Sequence, residues 1–321
     1  LNLLALKRSI WPAANGERPL IKVCWEPYEP SYSYPNVDFA PDHFAVLAER
    51  QKTVRDAVEE QWNRRIGASF VGWQQCSGEE DAVRILPMDS MRKTTEDMQA
   101  GRPYAESMGI YIKGKKVVLN MFFGDEFVFS SRFFQRYSYF WKPQANSIFP
   151  VTTPALQIDG GGYWAKNILP TQSNRTIDIE DEKNQKQLME KMNNALKFQA
   201  VHEFGHILGF THEQYRRDTG ASSGCGQWYN QFPKTFTDDY RKGQDTFKDE
   251  MPLGAFDNES IMSYCRTKNT GALSDLDLAG ALSLYPIPAK EIEAAKEAEK
   301  RAAEAQQKTE SVADVPDDEH C

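Results

Sequence analysis

Eleven residues constrain this chain more than any other stretch. The run His202-Glu203-Phe204-Gly205-His206-Ile207-Leu208-Gly209-Phe210-Thr211-His212 holds three of the chain's five histidines. An α-helix turns once in about 3.6 residues, so His202 and His206, four apart, point the same way from adjacent turns. Their imidazoles can therefore bind one metal ion from one side. Glu203 lies one step on and cannot join them as a first ligand, but it can reach a water on that metal. Gly209 is predicted to end the helix in a left-handed conformation that a residue with a Cβ avoids. The chain then turns back, and His212 can approach the same ion from the opposite side. Three neutral imidazoles leave the fourth position of a tetrahedral Zn²⁺ to water, the arrangement of a catalytic zinc rather than a structural one.

A lone histidine on an apolar helix face is ordinarily a hydrogen-bonded core residue. Two histidines four apart around a glutamate match the zinc-peptidase pattern, and Gly209 and His212 at fixed offsets make that match much more specific. The pattern also predicts a methionine turn downstream. Glu259-Ser260-Ile261-Met262-Ser263-Tyr264-Cys265 follows about fifty residues on, within the range such folds use. Met262 is then expected as an apolar floor beneath the imidazoles.

With both motifs in place the chain resembles the metzincin clan of zinc proteases, and within it the astacins. Glu213 directly follows the third histidine, a tyrosine stands two residues after the turn methionine, and Arg217-Asp218 follow the helix exit. The resemblance is strongest over roughly 196–285 and weaker, at the level of strand order, over 19–123. It implies an α+β metzincin fold: a twisted mixed sheet, a long helix and an active-site helix above the cleft, and a mostly irregular lower subdomain. It also implies a catalytic domain over 19–286. Its upper lobe runs to about 209 with an insertion at 123–183, and its lower lobe covers about 210–286. An N-terminal extension, 1–18, precedes it, and a charged tail, 287–321, follows.

The same resemblance implies a zinc-dependent endopeptidase acting on proteins or peptides. Zn²⁺ acidifies its bound water and polarises the scissile carbonyl. Glu203 acts as general base and later returns the proton to the leaving amine. Tyr264 is implied as a fifth, swing-out ligand or as a donor to the oxyanion. An edge strand over 105–112, including Ser107, Met108 and Gly109, is expected to hold extended substrate by backbone pairing. Arg266, in the segment after the methionine turn, is expected to border the pocket for the residue after the cut and to favour an acidic side chain. In astacins the glutamate after the third ligand binds the N-terminus freed by propeptide removal. The long stretch before the first strand argues against that role for Glu213.

Composition narrows the setting. A net charge of −8 argues against non-specific nucleic-acid binding. Residues 287–321 carry ten acidic and five basic side chains, net −5, which leaves −3 for the rest. That tail is rich in Ala, Glu and Lys with few apolar anchors, and is expected to be solvated or partly helical. No stretch approaches the ~18 apolar residues of a membrane span. The chain opens on Leu1 without a charged start and apolar run, so any signal segment is expected to be gone already. Of five cysteines, four can pair in three ways. The layout favours Cys24–Cys76, on neighbouring strands, and Cys225–Cys265, stapling the region below the metal; Cys321 is left over. Paired cysteines point to a secreted or periplasmic protein. Cys24 could alternatively block the zinc as a latency thiolate, but the alternation of Leu20-Ile21-Lys22-Val23-Cys24-Trp25 reads as a strand.

Along the chain, strands are predicted at 19–26, 69–76, 82–87 and 115–122, and helices at 41–66, 184–208 and 274–285. Ser274 and Asp277 form a capping-box start for the last helix. The insertion is dense in aromatics from Phe127 to Trp141 and carries Asp159-Gly160-Gly161-Gly162-Tyr163-Trp164. It reads as a satellite core over the sheet or, more sharply, as a substrate-contacting flap. The competing function is a binding module that keeps the fold and recognises an extended peptide with little or no catalysis. Loss of Glu203 would be its simplest sign, and Glu203 is present. An intracellular effector protease would differ in having reduced cysteines, and a non-peptidase zinc hydrolase would not need the methionine turn.

Overall fold

The computed structural model describes residues 3–13, 15–28, 43–78, 81–89, 103–122, 155–157, 176–178, 182–216, 249–263, 266 and 270–313. Its principal sheet grows from the alternating run that forms strand β2 (Leu20–Trp25), preceded in the chain by β1 (Leu3–Leu6). In β2, Ile21 and Val23 face the core while Leu20 and Lys22 face solvent. Strands β3 (Ser69–Gln75) and β4 (Val83–Asp89) pair parallel to β2 on either side. Beyond β4 lies parallel β6 (Lys116–Phe122), and the short β5 (Tyr104–Ala105) closes that edge antiparallel. The order is β3-β2-β4-β6-β5, a mixed sheet as expected. Cys24 on β2 and Cys76 just past β3 are joined by a disulfide, with Cα atoms 5.0 Å apart.

Two long helices pack against each other and on this sheet: α1 (His43–Val58) and α2 (Glu182–Ile207). The helical spacing of Val54, Val58 and Trp62 buries all three. The end of α1 widens into a π-helical turn, Glu59–Asn63, which carries Trp62. On α2, Phe204 lies edge-on to Phe70, with centroids 4.7 Å apart, and stacks on Trp73 at 5.5 Å. These rings clamp the C-terminal half of α2 to β3. A short hairpin, β7 (Ala155–Gln157) and β8 (Thr176–Asp178), is the described part of the 123–183 insertion. The aromatic run 127–141 and the glycine-rich run 159–164 lie outside the described residues.

A second sheet departs from expectation. The first residues are not an extension: β1 is buried along its whole length and is the central strand between β10 (Glu250–Leu253) and β9 (Phe210–Thr211). Leu4 pairs with Thr211 and with Pro252, on opposite sides. A four-residue apolar run has no readable period, and what makes it a strand is pairing with segments more than two hundred residues away. Leu3–Leu6 is thus hydrogen-bonded into the same sheet as the segment that leads to His212.

The predicted strand 105–112 is also corrected. Only Tyr104 and Ala105 pair; Ser107 and Met108 leave the sheet, and Gly109–Ile112 form a 3-10 turn. Gly109 has φ +56°, and a Cβ there would lie 1.7 Å from the Ser9 carbonyl oxygen. This close approach of the N-terminal segment ends the extended run. Downstream, α3 (Asp275–Leu284) starts at Ser274 with a complete capping box, as predicted. The tail forms α4 (Ala289–Ala313), largely exposed and tied to the body by Lys290–Glu17 at 2.6 Å and by an Arg18–Glu291 ion pair.

Gly109→Ala should destabilise the protein by about 2 kcal/mol or more, since both the left-handed φ and the contact with Ser9 oppose a side chain. A thermal melt with Tm within a degree of wild type would contradict this packing.

Candidate metal centre

Helix α2 ends as its sequence demands. Gly209 adopts φ +96°, and its N–H bonds the His206 carbonyl at 2.9 Å. The chain reverses into β9 and brings His212 back beside the helix. His206 Nε2 and His212 Nε2 stand 3.2 Å apart. The ring of His202 lies 4.9 Å from that of His206 and 5.2 Å from that of His212. One ligand atom from each of the three falls within 4.8 Å of the others.

The donor set suits a metal. His202 Nδ1–H donates to the Ile261 carbonyl at 2.8 Å, and His206 Nδ1–H donates to the Phe210 carbonyl at 2.7 Å. Each bond fixes the tautomer and leaves the Nε2 lone pair for a metal, the usual outer arrangement of ligating histidines. Two imidazole nitrogens on one tetrahedral Zn²⁺ at about 2.0–2.1 Å stand roughly 3.3 Å apart, close to the His206–His212 spacing. Burial lowers His202 to about 3, helped by the neighbouring His206, and lowers His206 to about 4; His212 also falls well below the ordinary imidazole range, mainly through burial. All three rings are thus neutral, the form that binds zinc.

Glu203 is 2% exposed, and burial pushes its carboxyl up to about 8. Its Oε2 has no hydrogen-bond partner among the described residues. A buried carboxylate oxygen is ordinarily paired, so this one faces a group that the described residues do not supply.

Around Ile261, whose carbonyl holds His202, Ser260–Ser263 make a tight turn closed by Ser263 N–H to the Ser260 carbonyl at 3.0 Å. Met262 is fully buried, and its carbonyl accepts from Glu213 N–H at 3.0 Å. The thioether fits because residue 205 is glycine: a Cβ there would come within 2.4 Å of Met262 Sδ and 3.6 Å of the Trp62 ring. Trp62 donates its indole N–H to the Val201 carbonyl at 3.0 Å and stacks on Phe210 at 5.9 Å. Gly205 and Trp62 were not read from the sequence as site residues. A glycine inside a helix that carries ligands is the one signal that pointed to close packing there.

The remaining predicted residues divide. Arg266 donates both terminal nitrogens to the Ala272 carbonyl at 3.2 Å and lies 5.7 Å above the Phe198 ring, which itself touches His202 at 5.6 Å. Ser107 and Met108 are half-buried beside β5, and Gly109 is packed under Ser9. Tyr264, Cys225 and Cys265 lie outside the described residues. Glu213 meets Arg216, with Nε 3.3 Å away, and accepts from Asp257 N–H at 3.2 Å. Burial still raises Glu213 to about 8 against the pull of Arg216.

Residues 179–275 match the family model for astacin, a peptidase family. Among curated proteins none matches. A solved structure of myroilysin is similar at 15% identity, covering 88% of this chain and 98% of that one, with a TM-score of 0.41. A crystal structure of myroilysin is similar at 14% identity, with 87% of each chain covered and a TM-score of 0.35. The matched family segment contains all three histidines, Glu203 and the methionine turn. The chain is astacin-like there, and its α+β architecture accords with that.

The histidine shifts have a signed consequence. A depressed pKa means that the folded state holds fewer protons than the unfolded chain below about pH 6.5, so the histidine contribution to stability falls as pH drops through that window toward 4. In chelator-treated protein His202 and His206 should each cost on the order of 2 kcal/mol between pH 7 and pH 5, while Glu203 and Glu213, raised by burial, bind extra protons in the folded state and offset part of that loss. Added zinc, which binds only neutral imidazole, should raise Tm at pH 7. Melts at both pH values, with and without zinc, check this. A Tm indifferent to zinc would count against the site.

Proposed function

We propose that this astacin-like chain is a zinc-dependent endopeptidase that hydrolyses peptide bonds of proteins. The observation that carries the reading is the convergence of three neutral imidazoles, two buried and one half-buried, beside Glu203, whose Oε2 has no partner among the described residues. His202, His206 and His212 hold the ion. When bound, zinc supplies a Lewis acid for the scissile carbonyl and a water acidified toward neutrality. Glu203 takes the proton of the attacking water on its carboxylate and passes it to the leaving amine. Burial raises this carboxyl in the metal-free protein, and a zinc cation bound beside it would draw it back toward the ionised form that a base needs. Met262 supports the rings from below. Tyr264 is the proposed donor to the oxyanion or a resting-state ligand.

Two places are proposed to meet the substrate. Arg266 stacks over Phe198 next to His202, and its positive charge favours an acidic side chain after the cut. Ser107 and Met108, beside the two-residue edge β5, are proposed to border the bound peptide; Gly109 is not, because it packs inward. The catalytic unit runs from Leu3 to 286, with the 123–183 insertion shaping specificity and 287–321 as a charged appendage. The Cys24–Cys76 bridge supports an oxidising compartment, hence a secreted or periplasmic enzyme. Among the described residues no helix is long and apolar enough to cross a membrane. Cys225–Cys265 is proposed as a second bridge, and nucleic acid is not a proposed partner.

Zinc content and casein hydrolysis of wild type and Glu203→Ala test the reading. Both proteins should hold about one zinc per chain, and the variant should lose hydrolysis by at least 10²–10⁴-fold, on the order of a positioned general base. Purified wild type without zinc, or full activity without Glu203, overturns it.

A further inference from the structure

Asp277 is wholly buried on the first turn of α3, remote in sequence from the histidine motif. Its Oδ1 accepts from the Ser260 hydroxyl at 2.6 Å. Its Oδ2 accepts from Ile261 N–H at 2.7 Å and from Ser274 N–H at 3.0 Å. Only the last of these belongs to the helix cap, which is completed by Asp277 N–H donating to Ser274 Oγ at 2.9 Å. The other two grip the methionine turn. The Ser260 hydroxyl oxygen in turn accepts from Met262 N–H at 3.1 Å, so residues 260, 261 and 262 are all held through one carboxylate. Ile261 is pinned at both ends: its N–H points to Asp277 and its carbonyl accepts His202 Nδ1–H at 2.8 Å.

We infer that Asp277 is a positioning residue for the metal site: by fixing the Ile261 main chain, it sets the orientation of the His202 ring. A carboxylate suits this task because it offers only acceptors, and all three neighbours are donors. Alanine would leave two buried N–H groups, of Ile261 and Ser274, short of an acceptor, and the turn would have to shift to recover one. Asparagine would keep an oxygen toward those two N–H groups. Its amide would then face Ser260, whose hydroxyl can rotate to accept. The Asp257 carboxylate sits beside this network, accepting from the Ser274 hydroxyl at 2.6 Å and from Glu259 N–H at 2.9 Å. Through Asp257 N–H the same network reaches Glu213, the neighbour of His212. The cap of α3 thus acts on two of the three ligands.

The inference rests on the zinc reading above, and its test separates the two. In the full chain, the zinc dissociation constant is measured by chelator competition, and the visible absorption bands of the Co²⁺-substituted protein report ligand geometry. Wild type that binds neither zinc nor Co²⁺ overturns both readings. Given a metal-binding wild type, Asp277→Ala should weaken zinc binding by about 10–100-fold, the usual loss for a group that orients a ligand. It should also shift the Co²⁺ bands, while Asp277→Asn recovers most of the affinity. Val54→Ala, a cavity in α1 away from the site, serves as the stability control: a lowered Tm with wild-type zinc affinity and Co²⁺ spectrum. If Asp277→Ala does not fold, Ser260→Ala carries the test, with a severalfold loss of affinity expected. Asp277 variants, or Ser260→Ala in their place, that match wild type or the Val54→Ala control in metal affinity and spectrum overturn the inference.

Discussion

A metal-binding imidazole must turn one nitrogen to the ion, and the other then needs a fixed acceptor. Much of the structure around the site follows from that requirement. His202 and His206 sit on one helix, yet their acceptors do not: Ile261 belongs to the methionine turn and Phe210 to β9. Two segments outside the helix must therefore be held in a fixed position relative to it. The second sheet meets part of this need. Strand β1 pairs β9 on one side and β10 on the other, so the Phe210 carbonyl is carried on a three-stranded sheet rather than on a free loop. The helix end is held as well. The carbonyls of Ile207, Leu208 and Gly209, which a helix terminus leaves without intrahelical donors, are met by Trp11 Nε1–H at 2.6 Å, the Tyr285 hydroxyl at 2.6 Å and Leu6 N–H at 3.0 Å.

Packing supplies the rest of the constraint. A helix that carries ligands on one face normally buries large side chains on the other, but at residue 205 α2 is bare. Met262 enters there and Trp62 closes the side, so the methionine turn and the π-helical turn meet on a single glycine. A straight α-helical end of α1 would present residue 62 at a different angle. The widened turn aims the indole at Val201, immediately before the first ligand, and π-turns within helices are often found at functional sites.

What was legible in the sequence was local. The spacing of His202, His206 and Gly209 settles a helix and its end because each depends on residues within one turn. The alternation in 20–25 and the Ser274–Asp277 cap are legible for the same reason. Leu3–Leu6 is not, since a short apolar run becomes a strand only when distant β9 and β10 flank it. The 105–112 run fails as a strand because Gly109 must lie against Ser9, a contact that no local pattern encodes. Asp277 illustrates both sides. Its bond to Ser274 was readable three residues away, while its bonds to Ser260 and Ile261 cross a loop and required the fold.

The residue after the third ligand shows how such long-range contacts combine. Glu213 and Arg216 are fully buried, three apart, and in contact. A buried pair of this kind adds little net stability, because desolvation offsets most of its attraction, yet removing one partner typically costs about 3–5 kcal/mol. Its worth lies in register. Arg216 reaches the Leu3 carbonyl on β1 and the Gly254 carbonyl just past β10, while Glu213 receives Asp257 N–H and gives its own N–H to Met262. One pair thereby ties the segment carrying His212 to β1, to the end of β10 and to the methionine turn.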